Sequence, residues 1–160
     1  MHERHVLSIL VANNAGVLGR ITGLFSRRGY NIDSLSVGTT EDSRYSRITV
    51  SLRGDERVIE QIQKQVAKLV DVFDVAELSP EESIYRELCF VKVEAGADKR
   101  PELFSIAGVF RANVIDVNLQ SITVEMTGDL DKIEAFIELM KPYGIIKIVR
   151  TGLTGIARGV

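Results

Sequence analysis

The 160-residue sequence has one cysteine, no tryptophan, three prolines and two histidines. A single thiol, Cys89, has no partner for an internal disulfide, and its neighbours Leu88, Phe90 and Val91 mark it as a small core residue. Aromatics are scarce, with six Phe and four Tyr, and the strand-like run Arg47-Ile48-Thr49-Val50-Ser51-Leu52 carries none. A sheet that binds RNA needs stacking rings on its central strands and a basic face, so that class is excluded. Neither sign of charge is in excess, because the formal net charge is -2. Without a basic field, general binding to nucleic acid or to an anionic membrane loses its electrostatic basis. No apolar run approaches the ~20 residues of a spanning helix. The N-terminus Met-His-Glu-Arg-His leads straight into a strand, with no signal-peptide pattern. The expected location is therefore cytoplasmic, with no membrane and no nucleic acid as partner.

Catalytic constellations are missing as well. There is no G-x-x-x-x-G-K-[ST] phosphate loop, no G-x-G-x-x-G, no G-x-S-x-G and no H-E-x-x-H. His2 and His5 both fall in the N-terminal segment and read as exposed or strand-edge residues. Asp33 and Asp116 fall at matched places in two halves of the chain, which favours a structural turn or cap over a catalytic pair. No catalytic residue and no metal ligand is expected.

The remaining pattern is regular. Residues 5–12 read as a strand, Asn13-Asn14-Ala15-Gly16 as a turn, and 17–28 as an amphipathic helix with Val17, Leu18, Ile21, Leu24 and Phe25 at helical spacing. Gly29 suits the helix C-terminus. Strands follow at 31–38 and 47–52, around a polar hairpin tip at 39–43. Asp55 is positioned to cap a second helix carrying Val58, Ile59, Ile62, Val66 and Leu69, and a fourth strand covers 70–78. The order βαββαβ is that of a ferredoxin-like fold.

After an acidic linker at 79–83 the order starts again: strand 84–95, helix 101–112, strands 113–118 and 120–127, helix 129–141, strand 145–151. Ile48-Thr-Val-Ser-Leu-Arg-Gly54-Asp55 lies over Ile122-Thr-Val-Glu-Met-Thr-Gly128-Asp129, and Leu18, Ile21, Gly23 and Phe25 match Leu103, Ile106, Gly108 and Phe110. The expected fold class is α+β, with two tandem ferredoxin-like domains of roughly 75 residues each. Their expected bounds are 1–78 and 84–160. The glycine-rich end Thr151–Val160 reads as flexible, either a frayed terminus or a segment that orders on a partner.

The halves differ in polar detail. The first has Asn13-Asn14-Ala15-Gly16 between strand and helix, where the second has Ala95-Gly-Ala-Asp-Lys-Arg-Pro101. Asn31 at the second strand is matched to Val114. A helix start offers backbone N–H groups without internal partners and a favourable dipole, a site for a carboxylate. Gly16 lets a ligand approach, and Asn13 and Asn31 offer amides that both donate and accept. Val17, Leu18 and Ile32 could surround a small aliphatic side chain. A free amino acid fits this set, and so does an ordinary capped turn with no ligand.

Asn13-Asn-Ala-Gly-Val-Leu18, followed by Leu24-Phe-Ser-Arg-Arg-Gly-Tyr-Asn-Ile-Asp-Ser-Leu35, resembles the small regulatory subunits of acetolactate synthase, also called acetohydroxyacid synthase. The resemblance continues through Ile59-Glu-Gln-Ile-Gln-Lys-Gln65, Phe110-Arg-Ala-Asn-Val-Ile-Asp-Val117 and Arg150-Thr-Gly152. It implies an N-terminal ACT domain, an ACT-like C-terminal domain, and no active site in this chain. It further implies a homodimer through the N-terminal domains and valine feedback inhibition; some members respond to leucine or isoleucine. The partner implied is the large catalytic subunit, which the small subunit activates and to which thiamine diphosphate, Mg and FAD would belong. Carried over by position, the valine site comprises Asn13, Gly16, Val17 and Leu18 of one chain with Asn31 and Ile32 of the other. A free-standing amino-acid sensor acting on another target is the alternative that shares such a domain.

Overall fold

The chain was studied as a computed structural model, which describes residues 3–160; His2 lies outside the described residues. The elements run β1 (Glu3–Ala12), α1 (Val17–Arg27), β2 (Ile32–Thr39), β3 (Tyr45–Gly54), α2 (Glu56–Ala67) and β4 (Val72–Glu77). The second set is β5 (Ser83–Glu94), α3 (Arg100–Val109), β6 (Asn113–Val117), β7 (Ser121–Gly128), α4 (Leu130–Met140) and β8 (Ile145–Arg150). A last short strand, β9, covers Thr154–Ala157. Strand order is β2-β3-β1-β4 in the first sheet and β6-β7-β5-β8 in the second, these neighbours pairing antiparallel, and β9 pairs with β5. This is the ferredoxin-like arrangement expected, twice.

Alternation decides the faces. Along β3, Ile48, Val50 and Leu52 join Leu7, Ile9 and Val11 of β1 beneath the helices, where Ile21, Phe25, Ile59 and Ile62 close the core. The second core repeats this with Val91, Val93, Ile122, Val124, Ile133 and Phe136. Cys89 belongs to that core, and burial pushes its thiol pKa up. His5 is buried, unlike the exposed or edge residue expected. Its Nδ1 lies 2.5 Å from Glu77 Oε1, because β4 pairs alongside β1 and brings that carboxylate across.

The repeat is faithful at the second helix of each unit. Asp55 Oδ1 accepts from Val58 N at 2.9 Å, and Asp129 Oδ1 accepts from Lys132 N at 2.9 Å. Each cap satisfies one N–H that the helix itself cannot. Asp55→Ala and Asp129→Ala are each expected to cost about 1 kcal/mol of stability, measured by denaturant unfolding.

At the first helices the repeat is offset from the letter match. α1 buries Val17, Ile21 and Phe25, whereas α3 buries Leu103 and Ala107. Both helices end alike: Tyr30 N donates to Phe25 O at 2.9 Å and Ala112 N to Ala107 O at 2.8 Å. Phe25 therefore corresponds to Ala107 and not to Phe110. The residue that follows the turn, Asn31, corresponds to Asn113 and not to Val114. Val114 pairs with Val124 inside the sheet. The contrast of Asn with Val between the halves is thus withdrawn. Asp33 and Asp116 are not caps either, since both lie in edge strands beside a register shift. Asp33 Oδ2 accepts from Arg53 Nε at 3.3 Å and lies 3.8 Å from Arg4 Nε.

The two compact units are residues 3–84 with Leu153–Val160, and Tyr85–Gly152. The expectation placed 84–160 together and left the tail flexible; the structure instead groups 153–160 with the first unit. The physical reason is Leu153, which is only 4% exposed and is hydrogen-bonded through its backbone to Ser34 and Ser36.

Candidate functional site

The loop between β1 and α1 is shaped by one backbone conformation. Gly16 is the helix N-cap with φ 85° and ψ −10°, left-handed, and offers no side chain to cap the helix. A residue other than glycine is strained there. Val17 N donates to Asn14 O at a long 3.4 Å, and the following N–H groups belong to the open first turn. The N-cap of α3, Lys99, is right-handed, and Pro101 stands second in that helix. The two loops thus differ in backbone as well as in composition.

Asn13 is fixed from three sides. Its N–H donates to Arg44 O at 2.8 Å, its Nδ2 donates to Ser43 O at 3.0 Å, and its Oδ1 accepts from Ser46 Oγ at 3.0 Å. It ties the loop to the β2–β3 hairpin, leaving one amide hydrogen and one lone pair for a ligand. The hairpin is itself stiffened: the Arg44 guanidinium grips Asp42 and holds its carboxyl below the usual carboxylate range. Val17 is 2% exposed, so its side chain belongs to the core and only its backbone faces the loop. Leu18 is 40% exposed, an apolar side chain left open at the helix start.

Arg20 is a contributor that the periodicity argument passed over. It stands one turn after Gly16, close enough that a Cβ built on Gly16 would lie 3.1 Å from its Nη1. Asp71 Oδ2 accepts from Arg20 Nε at 2.7 Å and lies 2.6 Å from Nη2. The helix start therefore has a guanidinium beside it, already ion-paired to Asp71. The spacing of four between Gly16 and Arg20 was the available signal.

Asn31 and Ile32 are elsewhere in the same unit. Ala12 pairs with Tyr45 at one end of β3, and Ile32 pairs with Leu52, seven residues along it. At ~3.3 Å per residue the separation is about 23 Å. Asn31 is exposed and Ile32 packs partly against the core. One chain thus brings together Asn13, Gly16, Val17 and Leu18, and does not bring Asn31 or Ile32 to them. β2, which begins with Ile32, hydrogen-bonds β3 on one side and ends the sheet on the other.

The first ferredoxin-like unit, with its glycine-turned strand-to-helix loop, has the ACT-like fold. Family profiles assign residues 7–74 to the AHAS small subunit-like ACT domain and residues 86–159 to the small subunit of acetolactate synthase. A probable acetolactate synthase small subunit of Archaeoglobus fulgidus is 47% identical over 156 residues, covering 98% of each chain. The acetolactate synthase small subunit of Haemophilus influenzae is 44% identical over 157 residues, covering 98% of this chain and 96% of its own. The crystal structure of the acetolactate synthase small subunit from Thermotoga maritima superposes with a TM-score of 0.91 at 39% identity, covering 99% of both chains. The chain belongs to the acetolactate synthase small-subunit family. Its relatives are small subunits of acetolactate synthase.

Proposed function

We propose that this chain binds L-valine between the N-terminal units of two copies. Bound to the large catalytic subunit of acetolactate synthase, it raises that subunit's activity and makes it sensitive to valine. The chain supplies no catalytic centre; thiamine diphosphate, Mg and FAD act in the partner, and the assembly works in the cytoplasm.

The observation that carries the reading is the separation of the two polar groups along β3. Within one chain the partners of Ala12 and Ile32 are about 23 Å apart along β3, yet β2 is a sheet edge. Antiparallel pairing of β2 with the β2 of a second copy reverses the strand. It carries the second copy's Asn31 and Ile32 toward the end where Gly16 lies. A valine carboxylate would then face the first turn of α1 and the Arg20 guanidinium. Its ammonium would meet the amide oxygens of Asn13 and the second Asn31, and its isopropyl group would rest against Leu18 and Ile32.

The test is reconstitution with the catalytic subunit. Acetolactate formation should rise on adding this chain and become inhibited by L-valine only in its presence. A catalytic subunit that is equally active and equally valine-sensitive alone would remove the regulatory role. Asn31→Ala should weaken valine binding by about 1–3 kcal/mol, the cost of a lost buried hydrogen bond. Asn113→Ala, the matching change in the second unit, should leave it within about twofold. Calorimetric titration of both variants distinguishes the halves.

A further inference from the structure

The tail hydrogen-bonds side chains of β2, the strand whose entry carries one side of the proposed site. Ser34 and Ser36 lie on the helix-free face of β2, opposite Leu35 and Val37, and face Ser51 and Thr49 in register. Leu153 N donates to Ser34 Oγ at 3.2 Å, and Ser36 Oγ donates to Leu153 O at 3.2 Å. Ser34 Oγ is also 2.6 Å from Ser51 Oγ, so the row continues into β3. Leu153 is the buried side chain of the segment, while Thr154 and Ile156 are exposed. Further along, Arg158 N donates to Glu82 O at 2.7 Å.

Two features make this contact more than a tidy terminus. The register shift between Ile32 and Ser34 lies between the anchoring serines and Asn31, so the entry of β2 is an irregular segment held on both sides of the irregularity. Moreover, the chain leaves the first unit after Ile84 and returns to it at Leu153, three residues beyond the end of β8. Gly152, with φ 86°, makes the turn. Leu153 is thus the landing point of the second covalent connection to Tyr85–Gly152.

We propose that Leu153, gripped by Ser34 and Ser36, is a positioning latch for the amino-acid site: it sets the placement of β2, and hence of Asn31 and Ile32. Site occupancy and tail docking then favour each other. This rests on the site reading above. By linkage, whatever factor the docked tail contributes to valine affinity, bound valine returns to tail docking.

The experiment uses the full chain with L-valine as the probe. Ser34→Ala combined with Ser36→Ala, and separately Leu153→Ala, should lower L-valine affinity by about fivefold or more. The conservative Leu153→Met should restore most of it. In the wild-type chain, saturation with L-valine should slow amide exchange at Leu153 by a matching factor, a response that a merely structural contact would not give. A folded serine double variant with affinity within twofold of wild type, or unchanged exchange at Leu153 under saturation, overturns the latch. A wild-type chain that takes up no L-valine in any form overturns the site reading and the latch together.

Discussion

Gly16→Asp should reduce L-valine affinity at least about 100-fold, or 2.7 kcal/mol, while the chain still assembles with and activates the catalytic subunit. Gly16 adopts φ 85° at the start of α1, and Asp is among the few residues that tolerate that region. The fold should therefore lose only about 1 kcal/mol. The new carboxylate would stand beside Arg20, whose Nη1 lies 3.1 Å from the built Cβ. It would occupy the place offered to the ligand's own carboxylate, and like charges brought together in an interface cost several kcal/mol. Gly16→Ala is the informative companion, since it adds bulk without charge. Titration of both variants should show a much larger loss for Asp than for Ala, and enzyme assays should show activation kept and inhibition lost. Wild-type valine sensitivity in Gly16→Asp would remove the helix start from the site.

Arg150→Ala should destabilise the second unit by about 3 kcal/mol, at the low end for a broken buried pair because Arg150 keeps part of its surface in water. Glu87 is 4% exposed. It accepts from Arg150 Nε at 2.6 Å and from Nη2 at 3.1 Å, while Nη1 reaches Glu134 at 2.9 Å. The Glu87 carboxylate dominates the guanidinium's environment, raising its pKa further against the opposing effect of burial. Removing Arg150 leaves a buried carboxylate with its main partner gone. Replacing both members together, Arg150→Met with Glu87→Leu, should recover most of the loss, because apolar residues need no partner. Calorimetric unfolding of the single and double variants measures the difference. A single variant within about 0.5 kcal/mol of wild type would mean that water reaches Glu87 freely.

The architecture was legible because short-range pattern determines it. The alternation of Ile48, Val50 and Leu52, the acids Asp55 and Asp129 ahead of helical stripes, and the recurrence of both between halves all point to two ferredoxin-like units. What was misread depends on contacts far apart in sequence. Aligning Phe25 with Phe110 matched letters, but the burial of Ala107 on the inner face of α3 is decided by the facing strands. The tail read as flexible because it is rich in glycine. Its order involves contacts far apart in sequence, among them Leu153 meeting a serine 119 residues away. The loop at Gly16 was visible as a turn, but the engagement of Asn13 with Ser43 and Ser46 was not. Neither was Arg20 at the helix start, since an exposed arginine on an amphipathic helix usually signals only the solvent face. That the Gly16 loop and Ile32 lie toward opposite ends of β3 could be read only once the strand register was in hand.

The central claim is a stereoselective amino-acid site shared by two copies of the chain. Its most direct measurement is titration calorimetry of L-valine into the complex of this chain with its catalytic subunit, with D-valine and L-alanine as controls. The account predicts saturable heat for L-valine, at one site per chain or one per pair, and much weaker binding of both controls. Equal heats for L- and D-valine, or none for either, would contradict it.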